Sequence, residues 1–141
     1  MEEIVLLCVE IKGEIVEKDE FEKGGREILN LGHTIGHALE AERGFSLSHG
    51  LCVAYGIKRI IDLSADFYGL NAQTVNEMKS LLSVYPFDFS FEKDVGFRDV
   101  KSRMIFDKKI DGDKISMILL KGVGEPKIEK VPLATVWKIL K

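Results

Sequence analysis

The chain has 141 residues, of which 45% are hydrophobic and 30% charged, and a formal net charge of −3. This length suits one domain with a real buried core, and so mild a negative charge excludes the basic surface that nucleic acid demands and the polybasic anchor of a membrane-surface protein. The acidic start and the short apolar run "IVLLCV" exclude a secretory signal, and no stretch approaches the roughly 20 apolar residues of a membrane span, so a cytoplasmic location is expected.

Residues 2 to 18 read as a helix, because Ile4, Leu7, Cys8, Ile11 and Ile15 recur at three- and four-residue steps. Gly13 weakens that helix. Cys8 and Cys52 are far apart and each sits in apolar sequence, so both are expected to be buried free thiols rather than a disulfide or a metal site. A charged loop at 19 to 25 leads into a long predicted helix from about Arg26 to Arg43, and Gly44 stands where a left-handed C-cap would. Ser46 or Ser48 can cap the next helix, His49 to Tyr68, whose almost all-round apolar composition marks a core helix ended by Gly69. A shorter helix follows from Asn71 to Val84, closed by Pro86. Residues 88 to 97 read as a loop and 97 to 108 as a further helix. The tail changes character: "KISMILL" (114 to 120) and "KIEKV" are strand-like around the turn "KGVGEP", and "LATVWKILK" closes as a helix. The expectation is a single, mainly α, multi-helix domain over 1–141 with a small C-terminal antiparallel β-hairpin. No alternating βαβ series and no glycine-rich phosphate loop after a strand is present.

All three histidines fall within one 17-residue window, His33, His37 and His49. On a continuous helix each residue advances about 100°, so with Arg26 at zero, Asn30 falls near about +40°, His33 about −20°, His37 about +20° and Glu40 about −40°. Ile28, Leu31, Ile35 and Leu39 fall on the opposite side. A solvated helix face is usually Lys, Glu, Gln and Ser. This stripe instead holds groups that hydrogen-bond, bind anions or bind metal. Gly32 and Gly36, one turn apart on its flank, would let a neighbouring backbone or ligand come close. The spacing is not the zincin HExxH, because Thr34 follows His33. His49, at the start of the next helix, can fold back towards the stripe, and two imidazoles on adjacent helices would suit Zn²⁺ with a third ligand. From the residues alone two readings stay open: ordinary helix histidines, or a metal or catalytic site.

"DEFEKGGREILNLGHTIGHALE" followed by "LSHGLCVAYGI" resembles the C-terminal helical domain of 3-dehydroquinate synthase, and "MIFDKKIDGDKISMILLKGVG" resembles that family's closing DKK segment. The resemblance covers nearly the whole chain, and its GHTxGH run is highly specific. It implies a lyase of the shikimate pathway, in aromatic amino acid biosynthesis. That enzyme converts 3-deoxy-D-arabino-heptulosonate 7-phosphate to 3-dehydroquinate and phosphate. The cofactors implied are Zn²⁺, or another divalent metal such as Co²⁺, and NAD⁺, which is consumed and regenerated within one turnover. Carried over residue by residue, His33 and His49 correspond to metal ligands, and His37 to an active-site histidine that contacts substrate and relays protons. Lys12, Arg26, Asn30 and one lysine of the DKK run, assigned to Lys108, correspond to substrate-binding positions, with Glu22 as a further contact. A guanidinium, an ammonium and an amide are apt for a substrate that is anionic at both ends.

The family's N-terminal NAD-binding half has no counterpart in this sequence. The third metal ligand, a glutamate, and a further substrate lysine lie in that missing half, and Leu51 stands where the family often has Glu. The resemblance therefore implies a portion of an enzyme, inactive alone, holding metal weakly through two histidines. Its implied partners are the sugar-acid phosphate, the missing NAD-binding half and a second copy in a homo-oligomer, with neither nucleic acid nor membrane. Two other readings remain: part of a different sugar-phosphate cyclase or of a metal-dependent alcohol dehydrogenase relative, and a non-catalytic remnant or interaction module.

Overall fold

The structure is a computed structural model that describes residues 2–18, 25–105 and 110–140. Helix α1 spans Glu2–Lys18 and a 3₁₀ turn spans Arg26–Asn30; α2 is His33–Glu42, α3 His49–Tyr68, α4 Ala72–Ser83 and α5 Phe97–Ile105. Strands β1 (Ile110–Asp111), β2 (Lys114–Leu120) and β3 (Pro126–Pro132) form one antiparallel sheet in that order, and α6 (Leu133–Ile139) closes the chain. The mainly α expectation with a C-terminal hairpin holds. The hairpin gains a two-residue third strand, pairing Asp111 with Lys114 across the Gly112-Asp113 turn. A second 3₁₀ turn, Ser90–Asp94, lies within the expected loop.

Helix α3 is the centre of the core. Cys52, Tyr55, Ile60, Ile61 and Leu63 are at most 2% exposed. Its start is set by Ser48, whose side chain accepts from the Leu51 N–H, and its end by Gly69 in the left-handed region at φ 65. Asn71 caps α4 by accepting from the Thr74 N–H. Ser64 is fully buried on α3. Its hydroxyl donates to the Ile60 carbonyl and accepts from the Leu120 N–H of β2, so one side chain ties helix to sheet with no polar group left over. Tyr68 makes a second tie, donating to Glu129 of β3 at 3.0 Å. Burial and that carboxylate push its phenol up to about 12. Glu92 holds the second 3₁₀ turn to α3 by accepting from both Lys58 and Arg59.

The helix expected from Arg26 to Arg43 is broken. Leu31 adopts φ −52, ψ 126 and Gly32 φ 76, so the 3₁₀ turn and α2 are separate elements. The cause is the approach of α3. A Cβ on Gly32 would sit 2.7 Å from the Ile57 nitrogen and 2.8 Å from the Val53 carbonyl oxygen, and one on Gly36 3.0 Å from the Cys52 carbonyl oxygen. From the other side, a Cβ on Gly56 would lie 2.0 Å from the Gly32 carbonyl oxygen. Three glycines thus let α2 and α3 cross backbone against backbone. At the far end of α2 the Phe45 N–H bonds to the Glu40 carbonyl while Gly44 takes φ 59, and Ser46 Oγ donates to the Arg43 carbonyl. This hydrogen-bonded turn delivers the chain into α3.

Helix α1 also departs from expectation. Cys52 is buried, but Cys8 is exposed. Ile4, Val5, Leu6, Leu7, Val9 and Ile11 are all 49% exposed or more, and no residue of α1 is buried. The apolar repeat correctly marks a helix, yet none of the described elements covers it. Such a face drives association in water. Sedimentation of the purified chain is expected to show concentration-dependent self-association, reduced by the pair Val5→Glu and Val9→Glu; a strictly monomeric wild type would refute this. For the crossing, Gly56→Ala is expected to destabilise by at least about 3 kcal/mol, the upper end of overpacking costs. Gly13→Ala, with nothing within 4 Å of its added Cβ, is expected to stabilise by up to about 1 kcal/mol. Urea denaturation of the two variants checks both signs.

Candidate metal and anion site

Two elements carry the histidines. His33 opens α2, His37 lies one turn on, and His49 opens α3 directly after the stapled turn. The glycine crossing holds these two helix starts together. The ring centroids of His33, His37 and His49 are 5.4 Å apart in all three pairs. One ligand atom from each lies within 4.8 Å of the others. Among the described residues this is the cluster suited to a metal ion. His33 is half-buried, and His37 and His49 are exposed.

Two of the rings have an acceptor beside Nδ1. His33 Nδ1 lies 3.2 Å from the Leu31 carbonyl oxygen, which can only accept, so Nδ1 carries the proton. His49 Nδ1 lies 3.3 Å from Glu40 Oε2, again an acceptor. With Nδ1 as the donor, each ring in its neutral form keeps its lone pair on Nε2. A divalent cation wants that form, and an imidazole whose other nitrogen is tied to a carbonyl or carboxylate is the usual arrangement at metal centres. The residues fit a divalent metal.

Beside this trio is a cleft of about 560 Å³ lined by Lys12, Arg26, Glu27, Leu29, Asn30 and His33. The break at Leu31–Gly32 removes the single helical stripe, since Arg26 and Asn30 sit on a different element from His33. The cleft nevertheless gathers Arg26, Asn30 and His33, and Lys12 joins them from α1. His33 belongs to both the trio and the cleft, so a cation and an anionic ligand would meet there. Lys108 and Glu22 lie outside the described residues. Two cleft or trio neighbours were not given a role from sequence. Glu40 was legible as a member of the histidine stripe, but its bond to His49 depends on the α2–α3 turn. Glu27 carries no sequence signal that separates it from a surface carboxylate.

Residues 1–110 match the family described as "3-dehydroquinate synthase C-terminal". The chain belongs to the 3-dehydroquinate synthase family. Similar curated proteins include 3-dehydroquinate synthase of Listeria welshimeri, 42% identical over 123 residues that make up 86% of this chain and 33% of that protein. The Clostridium acetobutylicum synthase is 35% identical over 147 aligned residues, spanning 100% of this chain and 40% of that protein. The chain thus spans about a third of the length of the curated relatives it matches. Among solved structures, a 2-deoxy-scyllo-inosose synthase complexed with carbaglucose-6-phosphate, NAD⁺ and Co²⁺ superposes with a TM-score of 0.83, covering 99% of this chain and 40% of that one. At 24% identity that likeness establishes the fold alone. Among the described residues of this family member, no helix is long and apolar enough to cross a membrane.

The Glu40 contact has a direct check. Glu40→Ala is expected to release His49 Nδ1 and mix its ring tautomers, seen in long-range ¹H–¹⁵N spectra, while His33 keeps its single tautomer. Unchanged His49 spectra would mean that the carboxylate does not hold the ring.

Proposed function

We propose that this chain is the metal- and substrate-binding portion of a 3-dehydroquinate synthase, acting on 3-deoxy-D-arabino-heptulosonate 7-phosphate. The observation that carries the reading is the junction at His33, where a histidine cluster with two Nε2 lone pairs adjoins a cleft lined by Lys12, Arg26 and Asn30. His33 and His49 would hold a divalent metal, Zn²⁺ or Co²⁺. Such an ion, when bound, acidifies a substrate hydroxyl and polarises the carbonyl formed from it. The guanidinium of Arg26 and the ammonium of Lys12 pair with the substrate's carboxylate and phosphate, and the Asn30 amide orients its hydroxyls. His37, one turn from His33, contacts substrate and moves protons, a general acid–base role that imidazole often fills. Lys108 adds a further cation for the substrate. NAD⁺ would be held by the remainder of the enzyme, and the exposed face of α1 is suited to pack against that remainder.

A different sugar-phosphate cyclase is the second reading, favoured by the fold shared with 2-deoxy-scyllo-inosose synthase. Two cations in the cleft support the carboxylate-bearing substrate over a neutral sugar phosphate, and so does the higher identity to the synthases.

Phosphate release tests the reading. The chain alone, given NAD⁺ and a divalent metal, is expected to show no turnover. Mixed with the separately expressed N-terminal half of a related synthase, it is expected to release phosphate from the heptulosonate phosphate and not from a hexose 6-phosphate. Arg26→Ala is expected to lower kcat/KM by at least 100-fold, about 2.7 kcal/mol of transition-state binding. Turnover by the chain alone, or a preference for the hexose phosphate, would overturn the assignment.

A further inference from the structure

The segment "YPFDFSF", residues 85 to 91, places an aromatic ring at every second position although no strand forms there. Connecting segments are ordinarily built from small and polar residues, so four rings in a row need a reason. The core explains the inner end: Phe91 is buried and packs on Tyr55 of α3, with ring centroids 5.5 Å apart. It does not explain the outer end. Phe87 and Phe89 stack at 5.8 Å with 28° between their planes, and Tyr85, 53% exposed, continues the ladder 5.3 Å from Phe87. These three rings line a cavity of about 370 Å³ between α3, α4 and the segment itself. We propose that this cavity binds a small aromatic carboxylate.

The lining is cationic as well as aromatic. Lys58 from α3 and Lys79 from α4 are its charged members among the described residues. Lys58 pairs with Glu92 at 2.5 Å and Lys79 with Asp62 at 2.7 Å, but neither acid lines the cavity. Arg59 also reaches both acids, at 2.6 Å to Glu92 and 4.0 Å to Asp62. Three cations therefore share two carboxylates, which leaves one positive charge uncompensated in the network although the chain as a whole carries −3. A carboxylate balances that charge, whereas a phosphate group, with about −1.5 to −2, would overshoot it. Lys58 Nζ lies 5.1 Å from the centre of the Phe89 ring, so ammonium and aromatic surface are presented side by side.

The wall is in place before a ligand arrives. Pro86 fixes its own φ, the Phe87 N–H donates to the Tyr85 carbonyl at 2.8 Å, and Phe89 rests on Tyr55 with centroids 6.1 Å apart. Little order then has to be gained on binding. A ring entering the cavity makes offset or edge contacts with Phe87 and Phe89, which contribute beyond burial alone. Its carboxylate meets ammonium groups on flexible stems, Lys58 from one helix and Lys79 from the next. The volume lies at the small end of the about 300–1,000 Å³ of ligand pockets, which suits one ring with a short acidic side chain. The cavity shares no lining residue with the cleft at Arg26 and Asn30, so it is a second site and not an extension of the first.

The test is titration of the full 141-residue chain with 3-phenylpropionate, followed by calorimetry and by aromatic ¹H–¹³C spectra. Wild type is expected to bind one equivalent with a Kd of about 1 mM or tighter. The ring signals of Phe87 and Phe89 are expected to move while those of His33 stay in place. 3-Phenylpropionamide, of the same shape without the charge, is expected to bind about 10-fold more weakly, and Lys79→Met to weaken the carboxylate by about as much. Phe87→Leu, which keeps the apolar surface but not the ring, is expected to lose about 5-fold. Arg26→Ala is expected to leave the affinity unchanged. No binding by wild type, equal affinity for the amide, wild-type affinity in either cavity variant, or a loss in Arg26→Ala would each overturn the inference. If a cavity variant misfolds by circular dichroism, the wild-type spectra decide: shifts centred on His33 instead of Phe87 and Phe89 would place the ligand in the other cleft and end the proposal.

Discussion

Everything at the site depends on the backbone contact between α2 and α3. Gly32 and Gly36 on one side and Gly56 on the other leave no room for a methyl group, the tightest approach being 2.0 Å from an ideal Cβ on Gly56 to the Gly32 carbonyl oxygen. Side-chain packing ordinarily keeps helix axes about 8–10 Å apart and tolerates small shifts. Backbone contact does not, because nothing between the helices can change rotamer. Histidines from two helices therefore meet at a spacing fixed by main-chain geometry, and the turn through Gly44 and Ser46 fixes where His49 enters.

The same contact sets the boundary between cation and anion functions. By forcing Gly32 into the left-handed region, α3 ends the 3₁₀ turn before α2 begins. Arg26 and Asn30 then line the cleft from one element, and His33 from the next. The Leu31 carbonyl, exposed by that break, becomes the acceptor that holds His33 Nδ1. A continuous helix would have bonded that carbonyl to an amide four residues on and left the ring without its anchor. The irregularity is thus what orients the first histidine.

Much of this was legible in the sequence. The core helix from His49 to Tyr68, a serine cap narrowed to Ser46 or Ser48, the glycine stops and the β2–β3 hairpin follow from apolar periodicity and turn chemistry, and the GHTxGH run identifies the family. The helix break was not legible, because Ile28, Leu31, Ile35 and Leu39 keep a helical period straight through Gly32; only the proximity of Ile57 and Val53 forbids the continuous form. Burial of Cys8 was expected from a helix-like apolar pattern, but periodicity reports that a face is apolar and not what covers it. Strand β1 could have been found: "DGDK" carries the Gly-Asp pair of a two-residue hairpin turn, and Gly112 takes φ 63 there. The pairing of Glu40 with His49 depends on the shape of a turn, which no pattern of residue types encodes.

The closeness of His33 and His49 along the chain has a consequence for how the site comes into being. Sixteen residues separate them, and closing a loop of that length costs on the order of 2.5 kcal/mol beyond a constant, since the penalty grows only with the logarithm of length. The histidines, the glycine crossing and the Glu40 contact all lie within a single helical hairpin, residues 32 to 57. The sheet and α6, which need pairings far apart in sequence, pack against α3 rather than against the helix α2 that carries His33 and His37. Local contacts form early in folding, so the part of the molecule that carries the chemistry is also the part whose assembly waits least on the rest.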